Sequence, residues 1–195
     1  MRSRAGLLET AILGQLSNTP LHGYELRKLL ALQLGPFRAF SYGTLYPALK
    51  SLQVRGLIAA VGGDTAALTR SGRSRIVYEM TNQGKEHLQA LLSSSGPAAW
   101  EDDNFDIRFA LFAQTDADTR LRILEGRRSR LTEKLEAVRT NAAHADAYLD
   151  EYSQELQRHG QEQVEREVRW LDRLITTEQD RAHRGLKHEI KEQQG

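Results

Sequence analysis

Apolar residues recur at helical spacing from the start of the chain. Leu7, Leu8, Ala11, Ile12 and Leu16 fall on one side of a helix over residues 6–17. Asn18-Thr19-Pro20 ends it. A second helix is expected from about His22 to Gln33, with Leu26, Leu29 and Leu30 on its buried face. Leu21 can pack on Leu26 across the helix start as a hydrophobic staple. Gly35-Pro36 stops this helix. A third lies within Ser41 to Arg55 and closes at Gly56. Leu45, Leu49 and Leu52 step by four and three and so share one face. Its start is open between two residues. With Ser41 as cap, Pro47 sits deep enough to meet an earlier carbonyl and bend the helix. With Thr44 as cap, Pro47 falls in the first turn, where a missing N–H does no harm.

Residues 57–61, Leu-Ile-Ala-Ala-Val, read as a short strand, and Gly62-Gly63 as a turn. Arg75 to Thr81 returns as a strand in which Ile76, Tyr78 and Met80 alternate. A fourth helix follows Thr81 and carries Leu88, Leu91 and Leu92. Three helices, a strand, a loop, a strand and a helix are the order of a winged helix. The expected fold is mainly α with a small two-stranded wing: a winged helix-turn-helix followed by a long-helix dimerisation domain.

The pattern changes at Ser93-Ser94-Ser95-Gly96-Pro97. Residues 1–95 are expected to form a winged-helix DNA-binding domain, 96–185 an α-helical dimerisation domain, and 186–195 a disordered tail. Phe105, Phe109 and Phe112 lie along one helix with Ile107 and Leu111 beside them. A seam then steps by three and four through Leu121, Leu124, Arg128, Leu131, Leu135, Val138, Ala142, Ala145, Leu149, Tyr152 and Leu156, broken only by Arg128. It resumes out of phase at Val164, Val168, Leu171 and Ile175, so a turn separates two helices, either within 141–150 or at His159-Gly160. Such a seam can close as a hairpin in one chain or between two chains. Two helices alone cannot bury both sides of it, which favours a homodimer. Leu8, Ile12, Leu131, Leu135, Val138, Val164, Val168 and Leu171 are the expected interface.

Composition narrows the class. No run of eighteen apolar residues occurs, so no membrane partner is expected. Met1-Arg2-Ser3-Arg4 leads into an amphipathic stretch rather than a signal-peptide core. The chain has no cysteine, which removes disulfides and thiolate chemistry and fits a cytoplasmic protein. Its net charge of +1 conceals an asymmetry. Residues 1–95 hold eleven Lys and Arg against five Asp and Glu, whereas 96–195 hold sixteen against twenty-one. The first half suits a polyanion.

With its leucines inward, the third helix turns Gly43, Pro47 and Lys50 outward, Tyr42 and Tyr46 to one flank, Thr44 and Ser51 to the other. Glycine and proline let backbone approach a ligand closely, and amides at a helix start favour phosphate. Hydroxyls of Ser41, Tyr42, Thr44 and Tyr46 can donate to phosphates or base edges. The loop at 62–74 is a second candidate reader, with Arg70, Arg73 and, at its base, Arg75. The DNA-binding set is thus Ser41, Tyr42, Gly43, Thr44, Tyr46, Lys50, Arg70, Arg73 and Arg75. The competing reading of Tyr46 is a half-buried packing residue. Aromatic residues of the second half, Trp100, Phe109, Tyr148, Tyr152 and Trp170, form a candidate pocket for a small aromatic effector between the domains. No phosphate loop, zinc-protease helix or serine-nucleophile elbow is present, and the histidines are dispersed. No catalytic residue, metal or cofactor is expected.

Leu21-His22-Gly23-Tyr24-Glu25-Leu26, residues 41–49 (Ser-Tyr-Gly-Thr-Leu-Tyr-Pro-Ala-Leu), Gly56-Leu57-Ile58 and residues 78–85 (Tyr-Glu-Met-Thr-Asn-Gln-Gly-Lys) together resemble the PadR family of bacterial regulators. The resemblance covers residues 6–92. The second half resembles the helical C-terminal domain of the larger PadR subfamily, best at Arg169-Trp170-Leu171-Asp172. The resemblance implies a homodimer on inverted-repeat double-stranded DNA, most often a repressor, with the third helix in the major groove and the wing on the backbone. In some members a phenolic or other small compound near the domain junction releases DNA. The wing loop here is longer than usual. The resemblance also places Gly160 inside the last helix, which moves the expected turn to 141–150. The alternative function is a ligand-binding or protein-interaction module that keeps the winged helix without reading DNA.

Overall fold

The computed structural model describes residues 4–35, 41–61, 76–145 and 150–192. They divide into two compact units. The first comprises residues 1–94 and 102–115, the second 95–101 and 116–195.

The first unit is built around α1 (Arg4–Leu16). Leu7, Leu8, Ala11, Ile12, Leu13 and Leu16 are all buried, so the helix is apolar around most of its girth. Such a helix needs neighbours on several sides, and α2 (Gly23–Leu34), α3 (Tyr42–Val54) and α4 (Asn82–Ser93) pack around it. Leu21, Leu26, Leu30, Leu45, Leu49, Leu52, Leu88 and Leu92 complete the core. Leu29, expected on the buried face of α2, is 37% exposed instead, because the face that meets the core is set by Gly23, Leu26 and Leu30. At Gly35 the backbone takes a left-handed turn, with φ of 77°, which glycine adopts without strain.

The wing has three strands where two were expected. β2 (Ile58–Val61) pairs antiparallel with β3 (Val77–Met80), and a two-residue β1 (Leu21–His22) adds to the other edge of β3. Leu21 lies opposite Tyr78, and Ile58 opposite Met80. The third strand ties the entry to α2 into the sheet. Thr81 then caps α4, its Oγ1 accepting from the Gly84 amide at 3.0 Å and donating to the Gly56 carbonyl at 2.7 Å. A Cβ on Gly84 would lie 2.0 Å from the Leu57 carbonyl oxygen, so only glycine permits this crossing.

The helix α5 (Asp102–Ala110), placed by sequence after the domain boundary, packs in the first unit. Gln33 Nε2 donates to the Ala110 carbonyl at 2.7 Å, and Gln114 Nε2 to the Gly14 carbonyl at 3.1 Å. The guanidinium of Arg108 is buried and donates to the carbonyls of Leu91, Leu92 and Ser94 at the end of α4. Its charge thus sits at the negative end of that helix.

The second unit is a hairpin of α6 (Ala117–Ala145) and α7 (Glu151–Glu192). The helices part inside 141–150, and Gly160 lies within α7. Asp116 and Asp150 cap the two helices. Asp116 accepts from the Thr119 amide at 2.8 Å and Asp150 from the Ser153 amide at 3.0 Å. α7 continues to Glu192, through most of the stretch read as a tail. Ile123, Leu124, Leu131, Leu135, Leu171 and Ile175 are buried. Ion pairs cross the hairpin from α6 cations to α7 carboxylates: Arg120–Glu178 at 2.7 Å, Arg127–Glu167 at 2.8 Å, Arg128–Asp172 at 3.2 Å and Arg139–Glu165 at 2.7 Å. Arg128, the break in the seam, therefore points to α7 as one of these cations. Among the described residues no helix is long and apolar enough to cross a membrane.

Candidate nucleic-acid interface

Ser41 starts α3. Its carbonyl accepts from the amides of Thr44 and Leu45 at 3.1 and 3.0 Å, and Thr44 Oγ1 donates to the same oxygen at 2.9 Å. That decides between the two caps: Pro47 is the sixth helical residue, and it cannot supply the N–H that the Gly43 carbonyl would receive in an unbroken helix. The leucine face is closed, with Leu45, Leu49 and Leu52 in the core. Ser41, Gly43, Thr44, Pro47, Lys50 and Ser51 are exposed on the remaining surface. Tyr42 opens the helix. Arg70, Arg73 and Arg75 lie outside the described residues.

Tyr46 has two roles in this geometry. It is 47% exposed, yet its ring lies against the start of α2, where a Cβ on Gly23 would be 3.3 Å from Tyr46 Cε1. Burial raises the Tyr78 phenol above its ordinary pKa, and the nearby Tyr46 adds to the shift. Tyr46 of α3 therefore lies against the start of α2 and near Tyr78 of β3.

Sequence reasoning missed a polar cluster at the other end of α3. Arg55, the C-terminal cap, places Nη1 at 2.6 Å and Nη2 at 3.1 Å from the two carboxylate oxygens of Glu9 on α1. His87 Nε2 on α4 lies 2.7 Å from Glu9 Oε1. Burial alone would raise the Glu9 pKa, but hydrogen bonds from Arg55 and His87 outweigh it and hold the carboxyl below the ordinary value. The available signal was Glu9 itself, a charge inside the apolar run of α1.

The remaining predicted residues are distributed between the units. Leu8 and Ile12, expected between subunits, are already buried in the core of their own unit. Leu131, Leu135 and Leu171 are likewise buried within the single chain, whereas Val138, Val164 and Val168 are only half-buried. Among the aromatic set, Phe109 stacks with Phe105 at 5.9 Å and meets Phe112 at 5.0 Å in the first unit. Trp100 covers Gly126 in the second unit, where a Cβ would lie 2.5 Å from its ring, and Trp170 is half-buried. Tyr152 is 87% exposed, and Tyr148 lies outside the described residues. Among the described residues no group of three or more His, Cys, Asp or Glu could hold a metal ion.

Residues 12–90 match the transcriptional regulator PadR-like family. This stretch is a PadR-like domain. It includes every described element of the winged helix from within α1 to within α4. No curated protein matches the chain. Among solved structures, Bacillus subtilis PadR in complex with operator DNA is 20% identical, with a TM-score of 0.42 over 88% of this chain and 98% of that one. Bacillus subtilis PadR in complex with p-coumaric acid is 21% identical, with a TM-score of 0.40 over 89% and 99%. The PadR-like regulator of Bacillus cereus is 17% identical, with a TM-score of 0.39 over 89% and 99%. Within the matched stretch, the exposed face of α3 combines hydroxyls, a cation and closely approachable backbone.

Proposed function

We propose that this chain is a homodimeric, sequence-specific DNA-binding repressor that reads an inverted-repeat operator with α3. One observation carries the reading: within a PadR-like domain, Ser41, Gly43, Thr44, Tyr46 and Lys50 share the exposed side of a helix whose leucines are wholly buried. Tyr42 belongs to the same turn. Arg70, Arg73 and Arg75 would supply phosphate contacts from the wing. The positive balance of residues 1–95 supports the same partner.

Dimerisation would use apolar surface that one chain leaves uncovered: Tyr152, Leu156, Val164 and Val168 on α7, and Val138 on α6. Two copies would then place their α3 helices on half-sites about one helical turn, roughly 34 Å, apart or a multiple of it. A small aromatic effector that binds one dimer geometry more tightly would release the DNA. The two tryptophans, Trp100 and Trp170, provide the signal for finding such a compound.

Selection from a random duplex library tests the reading. The bound fraction should converge on an inverted repeat, and light scattering should give a dimer at micromolar concentration. Enrichment of no sequence would contradict it. Aromatic compounds that change tryptophan emission should also weaken binding to the selected duplex. A change in emission with unaltered affinity would leave a ligand site without a switch.

A further inference from the structure

We propose that Glu9 is a positioning residue for DNA reading: through Arg55 and His87 it fixes the rear of α3, and so the angle at which the exposed front of that helix meets DNA. This rests on the assignment of α3 as the reading helix.

The two ends of α3 are held by different means. At the front, Ser41 and Thr44 cap the helix with contacts local to its own first turn. At the rear, the chain turns sharply at Gly56, with φ of 71°, and Leu57 donates to the Leu52 carbonyl at 3.0 Å. These bonds finish the helix but leave its orientation to packing. The buried leucines resist separation from the core, yet apolar contact is not directional, and it constrains rocking about the contact line less than charged hydrogen bonds do. Thr81 Oγ1 at the start of α4 ties down the Gly56 carbonyl just behind the helix, and Glu9 adds a charged directional constraint on the capping residue Arg55 itself. One carboxylate receives a two-nitrogen grip from Arg55 and also meets His87, so α1, the end of α3 and α4 converge on one side chain.

The cluster has the properties such a bracket requires. The Glu9 side chain is largely shielded, at 19% exposure, while Arg55, at 43%, reaches it from the solvent side, so the pair is only partly protected from screening. A planar guanidinium bound to both oxygens of a carboxylate fixes direction as well as distance. Nη1 and Nη2 of Arg55 are both turned to Glu9 on α1. Its role is therefore distinct from that of a phosphate contact.

The test compares wild type, Glu9→Gln and Arg55→Lys on two duplexes: the inverted repeat that wild type selects from random DNA, and a scrambled duplex of the same composition. Far-UV circular dichroism first establishes that each variant is folded at the assay temperature. The bracket predicts an affinity for the selected duplex about five- to tenfold weaker, in the range of ordinary coupling energies. Affinity for the scrambled duplex and the salt slope should stay as in wild type. Arg55→Lys keeps the charge but loses the two-point grip, so it should show the same selective loss. It also supplies the answer if Glu9→Gln does not fold. Folded variants with wild-type discrimination would overturn the proposal. So would an equal loss on both duplexes with a salt slope reduced by about 1, the signature of a lost phosphate contact. If wild type itself selects no sequence, it is the DNA-reading assignment that fails, a result distinct from either of these.

Discussion

Gly14 of α1 and Leu111, just beyond α5, meet so closely that a Cβ on the glycine would lie 2.3 Å from the leucine Cδ2. Leu111 is 1% exposed, so its side chain is enclosed by the core. The contact seats α5 on the winged helix. In an open helix, Gly→Ala gains up to about 1 kcal/mol. Here overpacking should cost about 1–3 kcal/mol and outweigh it. Gly14→Ala should therefore lower the thermal midpoint of the full chain by a few degrees. An unchanged or higher midpoint would show that the two helices part freely.

Arg108 should be more sensitive still. Its buried guanidinium serves three carbonyls at the end of α4. Net hydrogen bonds to a charged group contribute about 1.5–3 kcal/mol each, so Arg108→Met should cost more than about 3 kcal/mol in urea unfolding. Lysine lacks the planar fork, and Arg108→Lys should recover only part of the loss. Equal stability of Arg108→Met and wild type would remove the clamp from the account.

Glu9 gives a pH signature. Its pKa is lower in the folded chain, so its contribution is fully present above the ordinary glutamate value. It is lost as pH falls through the lower folded value. The stability gap between wild type and Glu9→Gln should hold near neutrality and shrink below about pH 4. Unfolding free energies measured across that range decide it. A gap that persists unchanged into acid would mean that the carboxylate is not the stabilising form.

The winged helix was legible because its leucines repeat at helical spacing and its turns carry Gly and Pro. The placement of α5 was not. Phe105, Phe109 and Phe112 state only that a helix has an apolar side, and the unit they join is chosen by Gly14, Gln33 and Arg108, far away in sequence. Gly14 was a usable clue, since a glycine inside a helical pattern costs stability and so points to a packing need or a cap. The seam through Leu131 and Leu135 was correctly periodic, but periodicity cannot tell a hairpin in one chain from a pair of chains. The start of α7 was written in Asp150 and Ser153, a cap three residues apart, which a reading based on apolar spacing passes over. The third strand, Leu21–His22, is too short to alternate and follows from pairing with β3 alone.

The salt dependence of binding to the selected inverted repeat tests the central claim most directly. If α3 reads DNA with Lys50 on its exposed face, the logarithm of affinity should fall steeply and linearly with the logarithm of salt concentration. Lys50→Ala should reduce that slope by about 1 while leaving the protein folded. A wild-type affinity indifferent to salt, or a Lys50→Ala slope and affinity identical to wild type, would contradict the assignment of this face to DNA.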